Sequence, residues 1–556
     1  MNARKIILHI LFFVAVLSFE FLFCNSIFVK SILSNKIDFR LYVFSFARLF
    51  IYILFYVLLL ISSKKIIENS MELKEAKKVK VIRRVIYISL LMITLLFLLY
   101  LGDKINIMTI GILIMFTIYL TLNYLFYGKN YKINIMLIAL ISIIYAFTTN
   151  TFHICDEVTH VPSAYNLAKG NIGFNKMYFD PSLQKIEILS DYSKNEKLFV
   201  HYNPKKVDFS KKETVYRLDP ASKLLHYPAA LGIIISEALN GTIMDTFYIG
   251  RIMNTITFLI LLFILLKIIK YKRTCIIAIM TTPTVLMFSS TYSVDGLGNV
   301  IMSIFIAYVL NLYFDKSIKY INNKNIIHLF IIMLGISFYK SASYFLIFTL
   351  ILIIRKKIPK SMMKKIIPLI IIILFVVYHN MFSTQDISSG DSRGGATNMS
   401  EQLKFLLSSP YIFFKVYYLH SINTFLDPTF YTRLFPQSFY GNSSTYFTIP
   451  YILYIIYMGL CDDKNKIKFA DGIIVLITVL LLFYFTSTGL YLSFTPVGNT
   501  VILGYQSRYV FVMLILLMII FKNNHIQVKQ KNNKDLITYG IIFILNFALF
   551  LANISV

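Results

Sequence analysis

Residues 153–170 read His153-Ile-Cys-Asp-Glu-Val-Thr-His-Val-Pro-Ser-Ala-Tyr-Asn-Leu-Ala-Lys-Gly170 and follow closely on an apolar run that ends at Phe147. Two adjacent carboxylates, Asp156 and Glu157, and then His160 stand where a hydrophobic segment stops. Ionisable groups are costly to place at the edge of a membrane unless they are solvated, paired or functional. The fold follows from asking what lies on either side of this stretch.

What lies on either side is mostly apolar. Of the 556 residues, 57% are hydrophobic and only 15% are charged, and the mean hydropathy is +0.69. No soluble domain of this size has that balance, so the chain is read as an all-α polytopic membrane protein. The formal net charge of +28 does not point to nucleic acid, because the basic residues sit mostly in short loops between apolar spans. That is the positive-inside pattern, with added attraction to anionic headgroups. The four cysteines, Cys24, Cys155, Cys275 and Cys461, have no CxxC spacing, so they suggest neither a zinc site nor a disulfide framework. The first span is too long for the apolar core of a cleaved signal peptide and is read as a retained helix.

Loop charges set the expected topology. Spans near 6–23 and 41–61 are followed by Lys64–Arg84, with Lys64, Lys65, Lys74, Lys77, Lys78, Lys80, Arg83 and Arg84 against three acids. This loop is expected in the cytoplasm, and the N-terminus with it. Spans at about 85–101 and 106–126 lead to the basic loop Lys129–Lys132, and a fifth at about 133–147 exits on the extracytoplasmic face. By this parity Asp156, Glu157 and His160 lie outside the cell membrane. Two large outer loops are expected, at about 150–227 and 384–445, the first holding short interfacial helices near 163–169 and 226–239. Further spans are expected near 246–266, 274–290, 298–314, 366–382, 446–460, 470–488, 503–521 and 536–553. The total is about 15 helices, with no internal repeat.

One segment does not fit a simple crossing. Residues 326–354 are apolar except for Lys340 at the middle, and a single span would carry Arg355, Lys356 and Lys357 outside. Two short helices meeting at Lys340 return both basic ends to the cytoplasm. Each half of about 14 residues is roughly 21 Å long, short of a hydrocarbon core of about 30 Å. Lys340 would then lie below the outer surface and need an anionic partner.

By parity Asp156, Glu157, His160, Arg251, Asp295, Lys340 and Arg508 belong to one side. An acid pair beside several cations suits chemistry on an anionic, membrane-bound substrate. A carboxylate can act as general base, and cations can hold a phosphate leaving group. Each residue also has a plainer reading. The acids fit a solvated helix start, and His160 a local hydrogen bond. Lys340 fits a snorkelling side chain, Arg251 with Asn254 helix–helix glue, Asp295-Gly296 a turn, and Arg508 an interfacial anchor.

An ordered set of motifs carries a family resemblance: Asp156-Glu-Val-Thr-His160 followed by Ala164-Tyr165 and Gly170; Tyr227-Pro228; Gly250-Arg251 with Asn254; Thr282-Pro283 through Ser293-Val-Asp295; Lys340 with Tyr344; Gln402 with Pro410; and Gly504-Tyr-Gln506-Ser-Arg508-Tyr509. From about residue 133 onward the chain resembles a bacterial family of polytopic membrane proteins, long known as a domain of unknown function, of the GT-C type of lipid-phosphosugar-dependent glycosyltransferases. Val158, Ser507 and Val510 depart from the family's usual residues. The resemblance implies a GT-C-like membrane domain over 133–556 behind an extension of four helices over 1–132. It implies a sugar transferred from a polyprenyl-phosphate carrier to a cell-wall or surface glycan acceptor on the extracytoplasmic face, and direct displacement with inversion is the expected mechanism. By the resemblance Asp156 is the implied base, supported by Glu157 and His160; the residues expected to bind substrate are Lys340 and Arg508, on the lipid-linked phosphate, with Arg251, Tyr509, Gln506 and Asp295. Some members of the wider superfamily use a divalent metal, but one Asp-Glu pair with one His is too few ligands to predict one, so no cofactor is expected. The rival readings are a transporter or flippase for a lipid-linked sugar, and a surface-glycan polymerase or ligase. A flippase should expose polar groups to both faces in turn, whereas the intramembrane polar residues here cluster toward one.

Overall fold

The computed structural model describes most of residues 138–170, then 178–179, 213–214, 225–339, 341–358, 395–426 and 467–520, with isolated positions at 364–374, 430 and 452–459. The four expected N-terminal spans (1–132), most of the 150–227 loop, the 384–394 and 431–445 parts of the second loop, Lys340 and the last span (536–553) lie outside the described residues. The chain divides into two compact units, 1–138 with 530–556, and 139–529. The architecture below is that of the second.

It is predominantly helical. α1 is Glu157–Ala168; α2 is Tyr227–Ala238; α3 is Ile243–Ile268; α4 is Arg273–Met280; α5 is Pro283–Ser289; α6 is Asp295–Phe314; and α7 is Asn323–Ser337. A 3₁₀ segment, Ser341–Leu350, runs into α8, Ile351–Lys357. Then follow α9, Met399–Leu407; α10, Pro410–Phe425; α11, Phe469–Ser493; a 3₁₀ turn, Ser507–Val510; and α12, Phe511–Ile520. An all-helical reading misses one small ladder: β1, Tyr178–Phe179, pairs antiparallel with β2, Glu213–Thr214, Tyr178 opposite Thr214. It joins two parts of the long 150–227 loop whose backbone groups no helix uses.

Among the described residues, α3, α6 and α11 are long and apolar enough to cross a membrane. α6 lies at the centre, touching α3, α5, α7 and α12. Its 20 residues span about 30 Å at 1.5 Å per residue, the thickness of a bilayer's hydrocarbon core. Charged groups gather at both its ends. Asp295 is its first residue. Near its last turn, Tyr313 Oη donates to Asp471 Oδ2 at 2.5 Å, and Lys356 pairs with the same buried carboxylate. Asp471 thus ties α6, α8 and α11 together at that end.

Local sequence explains where the helices start and stop. α3 opens with a capping box: Asp245 N–H donates to Thr242 Oγ1 at 3.2 Å, and Thr242 N–H donates to Asp245 Oδ2 at 2.8 Å. The apolar run 274–290, read from sequence as one span, is two short helices parted at Thr282-Pro283. Thr282 is extended (φ −60°, ψ 149°) because the residue before proline is pushed out of the helical region. The run 326–354 is likewise interrupted, α7 ending at Ser337 and helical turns resuming at Ser341. The apolar stretch 503–521 becomes regular helix only at Phe511, which leaves Arg508 in the 3₁₀ turn before it.

Gly250 makes one close approach available. A Cβ there would lie 1.9 Å from Tyr292 Oη, which crosses α3 to donate to Thr246 O at 3.0 Å. Gly250→Ala must push that ring away, and overpacking of this kind costs about 1–3 kcal/mol. The expected result is a lower unfolding temperature in detergent, followed by circular dichroism. An unchanged transition would mean that Tyr292 relaxes freely.

Candidate functional site

The residues singled out in 153–170 divide into three groups with different surroundings. The first is centred on Arg508. Its Nη2 lies 2.5 Å from Asp156 Oδ2, although the two residues are 352 positions apart. Its Nη1 lies 3.0 Å from Asp295 Oδ2. Tyr339 Oη donates to the other oxygen, Asp295 Oδ1, at 2.6 Å. The guanidinium also donates to Tyr509 Oη at 3.2 Å and sits over the rings of Phe288 and Tyr509, 5.3 and 5.2 Å from their centroids.

Local structure aims these groups. Asp156 precedes α1 in the left-handed region (φ 65°, ψ 6°), and its carboxylate makes no capping bond to the helix. Asp and Asn tolerate that conformation better than other side chains. The turn directs the carboxylate at Arg508 rather than at the α1 amides. Asp295 opens α6, and its own N–H donates to Ser293 Oγ at 3.2 Å. The loop before it is held by Asn254, whose Nδ2 donates to Thr291 O at 2.6 Å and Ser293 O at 3.1 Å.

The second group is Glu157 with Arg251. Arg251 donates bidentately, Nε to Oε1 at 2.9 Å and Nη2 to Oε2 at 2.7 Å. Both side chains are 0% exposed. Nη1 of Arg251 also donates to the carbonyls of Ala146 and Thr149, at 3.1 and 2.6 Å, and Tyr292 N–H donates to Glu157 Oε1 at 3.2 Å. This pair locks the chain entering α1 to α3 and to the 289–294 loop. It faces protein on every side, so Glu157 and Arg251 do not share the solvent-reaching position of Asp156.

The third group is His160, whose Nδ1 lies 2.9 Å from His226 Nε2, both rings being buried. One ring donates and the other accepts, so the accepting nitrogen carries no proton. Gln506 flanks the Arg508 turn: its backbone carbonyl accepts from Tyr509 N–H at 3.1 Å, and its buried side-chain Oε1 has no hydrogen-bond partner among the described residues. Lys340, expected to supply a cation, lies outside the described residues.

Asp156, Asp295, Arg508 and Tyr509 are therefore together; Glu157 with Arg251 and His160 with His226 form separate buried pairs. Two participants were not singled out from sequence. Tyr339 adjoins Lys340, and His226 adjoins Tyr227-Pro228; proximity to a quoted motif was the available signal. Beyond Tyr509 lies an aromatic nest, Tyr505 at 5.6 Å from Tyr509 and His420 at 4.9 Å from Tyr505. Burial pushes the His420 pKa down to about 4, so at neutral pH it accepts from or donates to Ser487 Oγ at 2.8 Å as an uncharged ring and adds no cation beside Arg508.

Chemically, the cluster offers one carboxylate open enough to accept a proton and one arginine able to hold a phosphate at the edge that Asp156 covers. Among the described residues no three His, Cys, Asp or Glu side chains are grouped to hold a metal ion. The family model described as "Predicted membrane protein (DUF2142)" matches residues 139–518. No curated protein and no solved structure matches the chain.

Proposed function

The chain belongs to the DUF2142 family of predicted membrane proteins, and from that premise we propose that it is a membrane glycosyltransferase. The donor is a sugar linked to a polyprenyl phosphate, and the acceptor is a hydroxyl of a cell-wall or surface glycan on the extracytoplasmic face. The observation that carries this reading is the contact between Asp156 and Arg508, a partly exposed acid held 2.5 Å from a buried arginine. A general base and a phosphate-binding cation are the two groups that displacement of a lipid phosphate by a sugar hydroxyl requires.

In the proposed reaction Asp156 takes the acceptor hydroxyl proton as the oxygen attacks the anomeric carbon. The bond to the phosphate oxygen breaks, and the lipid phosphate leaves with its charge beside Arg508. One displacement without a covalent intermediate inverts the anomeric centre. Tyr509 and Gln506 line the approach to Arg508. Glu157 and Arg251 shape the site by locking the start of α1, and Lys340 remains a proposed second cation for the phosphate.

The test is direct. Purified full-length protein in liposomes, given a radiolabelled polyprenyl-phosphate sugar and a surface-glycan acceptor, is expected to release polyprenyl phosphate and extend the glycan with an inverted linkage. Movement of intact donor between leaflets with no cleavage would replace this reading with the flippase. Cleavage joined to block transfer of whole glycan chains would favour the polymerase or ligase.

A further inference from the structure

The two acids on Arg508 are held very differently. The side chains of Arg508 and Asp295 are each 2% exposed, whereas that of Asp156 is 28% exposed. Among these three groups only Asp156 reaches solvent, and it covers the Nη2 edge of the guanidinium. The Asp156 carboxylate and an arriving anion compete for the same guanidinium edge. An anionic group can therefore take Nη2 only by replacing the Asp156 carboxylate.

Asp295 is buried and held from several sides. One oxygen receives the Tyr339 hydroxyl at 2.6 Å, the other faces Arg508, and its backbone N–H is bonded to Ser293 Oγ. Tyr339 is itself fixed against α6, because Gly298 leaves room for its ring: a Cβ there would fall 2.5 Å from Tyr339 Cε2. Asp156, in contrast, makes no side-chain bond to its own helix. Its carboxylate, 28% exposed, lies on the Nη2 edge that an incoming ligand needs.

We propose that Tyr339 and Asp295 are positioning residues that hold the Arg508 guanidinium still while the phosphate of a lipid-linked substrate displaces Asp156 from it. The displacement both seats the phosphate and frees Asp156 to accept a proton, so phosphate binding comes before base action. This rests on reading the site as one for a lipid phosphosugar, and it adds the order of events and the residues that enforce it. Arg508 without its Asp295 tether would follow Asp156 or the ligand rather than present a fixed edge.

The experiment uses the full-length protein in nanodiscs, with farnesyl phosphate as the probe and a hydrophobic carbodiimide as the reporter. Carbodiimides modify protonated carboxyl groups, and pairing with Arg508 keeps Asp156 ionised. Modification of Asp156, read by peptide mass spectrometry, is expected to rise several-fold as farnesyl phosphate saturates its site. Arg508→Gln should show the high level without ligand and no further response. Tyr339→Phe keeps the ring and loses only the hydroxyl, so it should fold normally. It should need about tenfold more farnesyl phosphate for the same rise, the size of one lost hydrogen bond to a charged group. In transfer assays it should raise the donor KM more than it lowers kcat.

Binding of farnesyl phosphate with unchanged or reduced modification of Asp156 overturns the displacement while leaving the phosphate site standing. An unshifted response in Tyr339→Phe overturns its positioning role. Failure of farnesyl phosphate to bind at all overturns the underlying reading of the site, and the displacement with it.

Discussion

Asp156→Asn is expected to lower sugar transfer by about 10²–10⁴-fold, the range typical of removing a general base. The substitution keeps shape and leaves an oxygen that can accept from Arg508, but an amide cannot take a proton from the acceptor. Its left-handed backbone position (φ 65°) suits Asn as well as Asp, so the fold should survive. Binding should move the other way. Removing the negative charge that covers Arg508 Nη2 should tighten the protein's hold on a prenyl phosphate even as turnover collapses. Transfer rate and prenyl-phosphate affinity, measured on the same preparation, check both halves. A rate within a few-fold of the parent would remove Asp156 as the base.

The second large effect concerns stability. Arg251→Met is expected to cost about 3–5 kcal/mol, because it strands the Glu157 carboxylate in a buried position. Both side chains are wholly buried, and Arg251 additionally satisfies the carbonyls of Ala146 and Thr149. Glu157→Gln should be milder than Arg251→Met, since the amide still accepts one bond from the guanidinium. The double substitution Glu157→Leu with Arg251→Met should recover much of the loss, as buried ion pairs replaced by apolar groups of similar volume often do. The chain has no tryptophan, so unfolding in detergent is best followed by circular dichroism or by loss of the monodisperse peak on size exclusion. Single variants that unfold at the parent temperature would show that water reaches the pair.

These two residues, adjacent in sequence, show where sequence reasoning reached and where it stopped. Asp156 and Glu157 read as one acid pair, because adjacency is all that a sequence displays. Asp156 sits in the left-handed turn before α1 and Glu157 is the first residue of the helix, so their side chains leave the backbone in different directions. One carboxylate therefore faces Arg508 near solvent, and the other faces Arg251 in the interior. Arg251 and Asn254, which sequence left between a site role and helix–helix glue, act as glue toward α1 and the 289–294 loop. Asp295, which also fitted a plain turn, opens α6 with its carboxylate on Arg508.

The amino-acid sequence by itself determined that this is a membrane protein built of helices, because long apolar runs punctuated by basic loops have few other stable forms. It also marked the break near Lys340, where a charge interrupts an apolar run, whereas the run 274–290 read as one span and its break at Pro283 is seen only in the structure. Only the tertiary structure decided which charges meet. The contact of Asp156 with Arg508 joins positions 352 residues apart, and no local pattern encodes a contact at that separation. It arises because the packing around α6 brings the start of α1, the start of α6 and the turn before α12 to one end. There a buried arginine must find anions, and two were within reach.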